Sequence, residues 1–180
     1  VFQTNSCPGR GGAISHYSAA GTCQSTVRRS LFTGNQANTG GAVHHWANGG
    51  RSEVTLESCT LSANQVSNSG AAVFALCGNQ GSATTTLNQC TLHQNSMPSD
   101  GAVVSWADAA GSSSQIRLNR CTLAENTTTG SGGAVAARGF SGAASSITLD
   151  GCIIAGNSTA GGAPEVTVNG GGTLTSLGNN

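Results

Sequence analysis

The sequence has very few charged residues and no lysine at all. Aspartate, glutamate, lysine and arginine together make up 8% of the 180 residues, and the formal net charge is zero. An average soluble protein has roughly 25% charged residues. A chain with so little positive charge has no electrostatic footprint for nucleic acid or for an anionic lipid surface. The composition therefore argues against nucleic acid as a partner.

Long hydrophobic runs are missing as well. No apolar stretch approaches the roughly 18 residues of a membrane-spanning helix, and no charged segment followed by an apolar one opens the chain. Proline occurs only at positions 8, 98 and 164, and the hydrophobic spacing of a helix fits nowhere. We therefore expect no membrane insertion by this segment, and we expect strands and turns rather than helices.

Two motifs alternate along the whole chain. One is Gly-Gly-Ala followed by valine or isoleucine, with variants, and its copies begin at Gly11, Gly40, Gly70, Asp100, Gly132 and Gly161. The other is a large apolar residue three positions before an asparagine. From Val43 to Val135 the valine returns after 30, 30 and 32 residues, and the asparagine returns every 29 to 31 residues. A fixed period of this length indicates a repeat architecture.

Each repeat contains three short segments in which apolar and polar residues alternate, as in strands. In the second repeat they begin at Val43, Val54 and Cys59. This pattern predicts an all-β fold, a parallel β-helix (a solenoid) of about six coils of 29–32 residues with three short strands per coil. At about 4.8 Å per coil, the rod would be about 29 Å long. We expect residues 1–180 to form a single domain, either a segment of a larger protein or a subunit that stacks on copies of itself, because neither end resembles a cap.

In such a coil, equivalent residues stack into inward ladders. Each recurrent asparagine is expected to bond the amide of the next coil and the turn backbone. Four cysteines recur at one position and are expected to act as small apolar core residues. The predicted structural ladders are Cys59, Cys90, Cys121 and Cys152, with Asn35, Asn64, Asn95, Asn126 and Asn157. Two N-x-S/T sequons begin at Asn126 and Asn157, and their place in the ladder disfavours glycosylation.

Other cysteines and histidines are candidates for cross-links or metal ligands. Cys7 and Cys23 form the candidate loop disulfide. His16 and His45 occupy the same strand position in adjacent coils, so they are expected to stack inward as a neutral pair. The position continues as Ala75 and Ser105, which leaves no third ligand for a metal. We therefore expect no metal and no cofactor.

The residues that alternate with the inward valines are expected to point outward and to form one apolar stripe. Its members are Tyr17, His44, Trp46, Phe74, Leu76, Val104 and Trp106. A contiguous exposed apolar patch marks an interface or a ligand groove, and stacked aromatic rings can also support sugar rings. The alternative is that the long loops at 48–52, 78–83 and 108–114 fold back and cover the stripe.

The paired motifs resemble those of the chlamydial polymorphic outer-membrane proteins. The segment 54–64 and the end of the chain, 153–166 and 173–180, are more similar to the bacterial surface proteins called choice-of-anchor Q domain proteins. The resemblance covers essentially the whole chain. It implies a right-handed parallel β-helix displayed outside the cell, used for adhesion or as a structural rod.

Many β-helices cleave polysaccharides, and glycoside hydrolysis requires a pair of carboxylates beside the scissile bond. Here the acids are scattered: Glu53 and Glu57 share a coil, and Asp100 and Asp108 flank one strand. The sequence therefore predicts a non-catalytic extracellular or cell-surface rod, structural or adhesive, that associates with itself or forms part of a surface filament. Its expected partners are copies of itself, further parts of a larger surface protein, or glycans. The alternative is a β-helix that binds or cleaves polysaccharide.

Overall fold

The computed structural model describes residues 1–130, 132–160, 162 and 165–180. Gly161, Ala163 and Pro164, from the sixth copy of the glycine motif, lie outside these residues. Within the described ranges the regular structure is all strand, and no helix is long and apolar enough to cross a membrane. In chain order the strands are β1 (Phe2–Gln3), β2 (Ile14–Ser18), β3 (Thr22–Arg28), β4 (Leu31–Thr33), β5 (Gln36–Ala37), β6 (Val43–Asn48), β7 (Arg51–Glu57), β8 (Thr60–Ser62), β9 (Gln65–Val66), β10 (Val73–Gly78), β11 (Ser82–Asn88), β12 (Thr91–His93), β13 (Ser96–Met97), β14 (Val103–Ala107), β15 (Ser113–Asn119), β16 (Thr122–Ala124), β17 (Thr127–Thr128), β18 (Val135–Gly139), β19 (Ala144–Asp150), β20 (Ile153–Ala155), β21 (Ser158–Thr159), β22 (Val166–Gly170) and β23 (Gly172–Ser176).

These strands form parallel sheets that run the length of a β-solenoid of about six coils, which confirms the predicted fold class. The front sheet has the order β2-β6-β10-β14-β18-β22, and the long sheet has the order β3-β7-β11-β15-β19-β23. The narrow sheet has the order β1-β4-β8-β12-β16-β20. A short sheet of two-residue strands, β5-β9-β13-β17-β21, adds a fourth strand to most coils. Two residues are too few to show an alternation, so the sequence pattern did not indicate this sheet.

Equivalent residues of successive repeats are paired neighbours. Val73 pairs with Val43 on one side and with Val103 on the other. A slip of one residue would turn every inward side chain outward, so the valine, leucine and phenylalanine columns hold the register. The valines, together with Leu56 and Phe32, are fully buried in one continuous core cluster. Burial of these apolar side chains is the main stabilising term of the rod.

A ladder of asparagines runs through the corner after the narrow sheet. Asn64 shows the pattern: its Nδ2 donates to Oδ1 of Asn95 at 2.9 Å and to the carbonyl of Phe32 at 3.1 Å. Its backbone N–H also donates to Oδ1 of Asn95, at 3.1 Å. The same bonds repeat from Asn35 to Asn157, so each buried amide has both donors and its acceptor satisfied by the neighbouring coils. The column begins one member earlier than the predicted ladder, at Asn5.

The ladder cysteines form a second buried column. Each Sγ lies within hydrogen-bond distance of two backbone carbonyls; for Cys90 these belong to Leu56 at 3.5 Å and Asn88 at 3.4 Å. Cys59, Cys121 and Cys152 repeat the arrangement. Burial raises the pKa of the Cys59 thiol above its usual value, which keeps it protonated at neutral pH. All four side chains belong to the apolar core cluster, so the column packs as small, weakly polar core residues.

Candidate functional site

The outer face of the front sheet carries the side chains that the repeat pattern assigns to an outward stripe. Side chains alternate between the core and the outside along each strand, and the parallel register stacks the outward ones from coil to coil. Two columns result. The inner column consists of Ser15, His44, Phe74, Val104 and Ala136, and the outer column consists of Tyr17, Trp46, Leu76, Trp106 and Arg138.

From His44 to Ala136 the inner column is buried, whereas Ser15 at its start is exposed, which corrects the expectation of an exposed stripe. The exposed fractions of His44, Phe74 and Val104 are 1%, 5% and 0%. Leu76 and Trp106 of the outer column pack against these residues from the side. Three of the seven predicted stripe residues are therefore buried and not part of an exposed surface.

The glycine corners that precede β6 and β10 lie close against the inner column, whereas the alternative drawn from the sequence placed the long loops over it. Gly40 and Gly70 have positive φ values of 64° and 68°. A Cβ on Gly40 would lie 2.6 Å from Cβ of His44, and one on Gly70 would lie 2.8 Å from Cβ of Phe74. A side chain at either glycine would collide with the inner column. The motif therefore uses glycine both for its backbone conformation and for this close approach.

The side chains of the outer column are more exposed to solvent than those of His44, Phe74 and Val104. Tyr17 is 55% exposed, while Trp46, Leu76 and Trp106 are half-buried. The ring centroids of Tyr17 and Trp46 are 4.9 Å apart, and those of Phe74 and Trp106 are 6.1 Å apart. The Phe74–Trp106 contact therefore links the inner column to the outer one, whereas the Tyr17–Trp46 contact lies within the outer column.

Two further residues belong to this face, and the repeat pattern did not reveal them. Phe140 lies just past the end of β18, with its ring centroid 5.3 Å from that of Trp106. Arg10 lies before the first glycine corner, and its guanidinium carbon is 4.2 Å from the centroid of the Trp46 ring. An arginine over the face of a tryptophan is attracted by the ring quadrupole. The equivalent position in the neighbouring coil holds Thr39 in place of Arg10 and Asp108 in place of Phe140, so no periodic signal pointed to either residue.

Two cavities, each of about 250 Å³, lie along this face and share Arg10 and His44. The first is lined also by Tyr17 and Trp46. The second is lined also by Thr39, Asn68, Ser69, Phe74, Leu76, Trp106 and Asp108. We call these two cavities together the aromatic groove. It runs across successive coils, and therefore along the axis of the rod.

Several buried polar atoms in the groove have no hydrogen-bond partner among the described residues. They are both ring nitrogens of His44, Nε1 of Trp46 and Oγ1 of Thr39. A buried donor or acceptor that lacks a partner costs about 1–3 kcal/mol. Most buried polar groups in native proteins are satisfied, so a cluster of four such atoms in one groove requires an explanation.

The charges in the groove nearly cancel. Burial, and secondly the positive charge of Arg10, lower the pKa of His44 to about 3, so its ring is neutral at physiological pH. Arg10 contributes one positive charge and Asp108 one negative charge. Beside the groove, the buried carboxylate of Asp100 forms an ion pair with Arg138 and lies 3.4 Å from Oγ of Ser69.

The inward histidines lie on the other side of the same strands. His45 is fully buried, with Nδ1 at 3.1 Å from Oγ of Ser52 and Nε2 at 2.5 Å from Oγ1 of Thr85. Burial lowers the pKa of His45 to about 3, and it also lowers the pKa of His16, the neighbour with which His45 pairs. Within the described residues no group of three or more histidine, cysteine, aspartate or glutamate side chains has the geometry to hold a metal ion.

The candidate disulfide is not formed, since all seven cysteines are free. Cys7 bonds through its backbone N–H to Gln36 of the short sheet, whereas Cys23 lies within β3 of the long sheet, paired with Ser52. Cys7 therefore lies beside the short sheet and Cys23 within the long sheet, in different parts of the first coil. Cys77 is buried, which raises the pKa of its thiol to about 11 and leaves it unreactive at neutral pH.

The comparisons with known proteins add no relative to this description. No family model, no curated protein and no solved structure matches the chain.

Proposed function

We propose that this chain is a non-catalytic rod that works outside the cell and attaches to its partner through the aromatic groove. The observation that carries the proposal is the run of aromatic side chains, from Tyr17 to Phe140, on one face of an otherwise regular solenoid. Large rings bury much area on contact and are favoured at recognition surfaces. We further propose a relationship to the choice-of-anchor Q domain proteins, on the motifs described above.

A structural role is supported by the way in which each coil is tied to the next. The asparagine ladder, the cysteine column and the continuous apolar core all run along the rod axis. In a solenoid each repeat contacts only its neighbours, so these vertical bonds determine the stiffness of the rod. Such a rod holds its groove at a fixed distance from whatever anchors it.

The acids support a non-catalytic role over the second candidate, polysaccharide cleavage. A general acid requires a raised pKa. Hydrogen bonds from Arg51 and then Gln24 outweigh burial and lower the pKa of Glu53, and the carboxylate of Asp100 is ion-paired with Arg138. Glu53 is thus held in its charged form, in which it can accept a proton but not donate one, and Asp100 is engaged in an ion pair.

For partners along the axis, we propose further coils, either from a larger surface protein or from a second copy. Val168 and Leu174 occupy inward columns but are 40% and 39% exposed, because no described coil lies over them. Apolar side chains in this position gain free energy when another coil packs on them. The groove is left free for a different partner.

The test compares the chain with its Trp46→Ser/Trp106→Ser variant in two measurements. Beads coated with the variant should adhere to cell surfaces or extracellular matrix at least ten-fold less than beads coated with the unmodified chain. The far-UV circular dichroism spectrum of the variant should remain that of a folded β-solenoid. Pectin, alginate and neutral glycans should remain uncut by the unmodified chain. Adhesion that does not depend on the two tryptophans, or cleavage that is abolished by Asp100→Asn or Asp108→Asn, contradicts the proposal.

A further inference from the structure

We infer that the aromatic groove is a binding site for a neutral oligosaccharide, which lies along the rod with its sugar faces on the aromatic rings and its hydroxyls on His44. The inference rests on the proposed function, since it names the ligand class for the same groove. Three features of the groove lead to it: its shape, its unpartnered polar atoms and its charge.

The shape suits a chain-like ligand of modest width. The two cavities share Arg10 and His44 in their walls, and together they fall in the size range of small-molecule sites, about 300–1,000 Å³. Their long direction follows the coil stack, in which each coil advances about 4.8 Å. A linear oligosaccharide can therefore place successive sugar units over successive coils. A stable protein partner typically covers about 800 Å² of one surface, much more than a recessed groove offers.

The unpartnered atoms call for a ligand that both donates and accepts hydrogen bonds. The neutral ring of His44 has one donor and one acceptor nitrogen, the indole of Trp46 is a donor, and the hydroxyl of Thr39 can do either. Sugar hydroxyls satisfy all of these roles. A carboxylate only accepts and an ammonium only donates, so either would leave part of the set unsatisfied.

The charge favours a neutral ligand over an acidic or basic one. Arg10 and Asp108 line the same cavity with opposite charges, and Asp100 is neutralised by Arg138. An acidic glycan would meet Asp108, and a basic one would meet Arg10, without a net field to offset the desolvation of its own charge. The apolar faces of Trp46 and Trp106 match the C–H faces of neutral sugar rings.

The experiment is a titration of the folded chain with cellohexaose, maltohexaose, laminarihexaose, chitohexaose and hexagalacturonate, followed by isothermal calorimetry and by tryptophan fluorescence. We expect at least one neutral hexasaccharide to bind and to change the fluorescence, and hexagalacturonate to bind at least ten-fold more weakly. Trp46→Ala and Trp106→Ala should each weaken binding about ten-fold, which corresponds to about 1.4 kcal/mol. Ile153→Ala is the matched control, because Ile153 is an exposed apolar residue of the narrow sheet. The affinity of this variant for the hexasaccharide should equal that of the unmodified chain.

His44→Phe tests the hydroxyl contacts without removing the ring. Phenylalanine preserves the stacking on Phe74, whose centroid is 5.6 Å from that of His44, and deletes both nitrogens. We expect a variant that is as stable as the parent and binds the hexasaccharide about ten-fold more weakly. A purely structural His44 would leave the affinity unchanged, and that result overturns its assigned role.

The outcomes separate this inference from the proposed function. Tryptophan-dependent adhesion without binding of any neutral hexasaccharide, or a preference for hexagalacturonate, overturns the inference and leaves the adhesive rod intact. Binding followed by cleavage of the hexasaccharide supports the site but overturns the non-catalytic role. Neither binding nor tryptophan-dependent adhesion overturns both.

Discussion

The asparagine ladder and His44 are both polar and buried, but they differ in whether their hydrogen-bonding groups have partners. Asn64 is fully buried, and its side chain and backbone N–H are bonded to the coils on either side. His44 is equally buried, and neither ring nitrogen has a partner among the described residues. The ladder recurs at the period of the fold and is fully satisfied, as a structural device should be. His44 occurs once in its column and is unsatisfied, which is typical of a residue kept for a ligand.

The largest expected effect is that of pH on the buried histidines. His44 and His45 have folded-state pKa values of about 3, whereas an exposed histidine has a pKa of about 6.5. Between about pH 6.5 and 3, these two histidines are protonated in the unfolded chain but remain neutral in the folded chain. Stability is therefore complete above about pH 6.5 and falls by up to about 1.4 kcal/mol per pH unit for each histidine as the pH drops towards 3. Urea denaturation between pH 7.5 and 4 measures the slope, and a flat profile would contradict it.

Breaking the ladder should cost nearly as much. Asn95→Leu removes the acceptor of the Asn64 N–H and the donor to the carbonyl of Leu61, both in the buried interior. Two unsatisfied backbone groups and the lost amide bonds predict a loss of about 4 kcal/mol in the free energy of unfolding. Asn38→Ala is the control, because its bond to Ser67 is exposed, and it should cost less than about 0.5 kcal/mol. Equal losses in the two variants would show that the ladder is not special.

The glycine corner offers a matched pair with a smaller effect. Gly70 and Gly156 have almost the same φ, 68° and 65°, but a Cβ would meet Phe74 at Gly70 and nothing within 4 Å at Gly156. Gly156→Ala should cost about 1 kcal/mol, the usual penalty for a left-handed residue. Gly70→Ala adds overpacking of about 1–3 kcal/mol. Thermal or urea unfolding gives the difference, and equal values would rule out the close approach to the inner column.

The smallest effect on stability is expected from His44→Phe. The substitution removes two unpartnered nitrogens and keeps the stack on Phe74, so the free energy of unfolding at pH 7 should be unchanged or rise by about 1 kcal/mol. His45→Phe should instead destabilise by about 2 kcal/mol, since it strands the hydroxyls of Ser52 and Thr85. His44→Phe should also reduce the steepness of the pH profile between 6.5 and 3. A loss of stability as large as that of His45→Phe would place His44 among the structural residues.

Much of the fold could be predicted from the sequence, because similar residues recur at equivalent positions in each coil of a solenoid. The period placed Val73 beside Val43 and Val103, and the structure pairs them so. The two-residue strands of the short sheet could not be predicted, since they are too brief for an alternation. The Cys7–Cys23 bridge was wrong for a different reason: the prediction paired two cysteines of the first coil without knowing that Cys7 bonds to the short sheet while Cys23 pairs within the long sheet.

The candidate site also has features that the sequence predicts and features that only the folded structure shows. The alternation along β6, β10 and β14 by itself determined which residues point away from the core, because side chains alternate in every strand. Only the tertiary structure decided which of them are exposed: the glycine corners close over His44 and Phe74, and they leave Trp46 and Trp106 half-open. The position of Arg10 over Trp46 was likewise a tertiary outcome, since it depends on a contact between segments that share no repeat position. The face of the strand on which a side chain lies is a local property of that strand, whereas the burial of the side chain depends on which other segments of the chain pack over it.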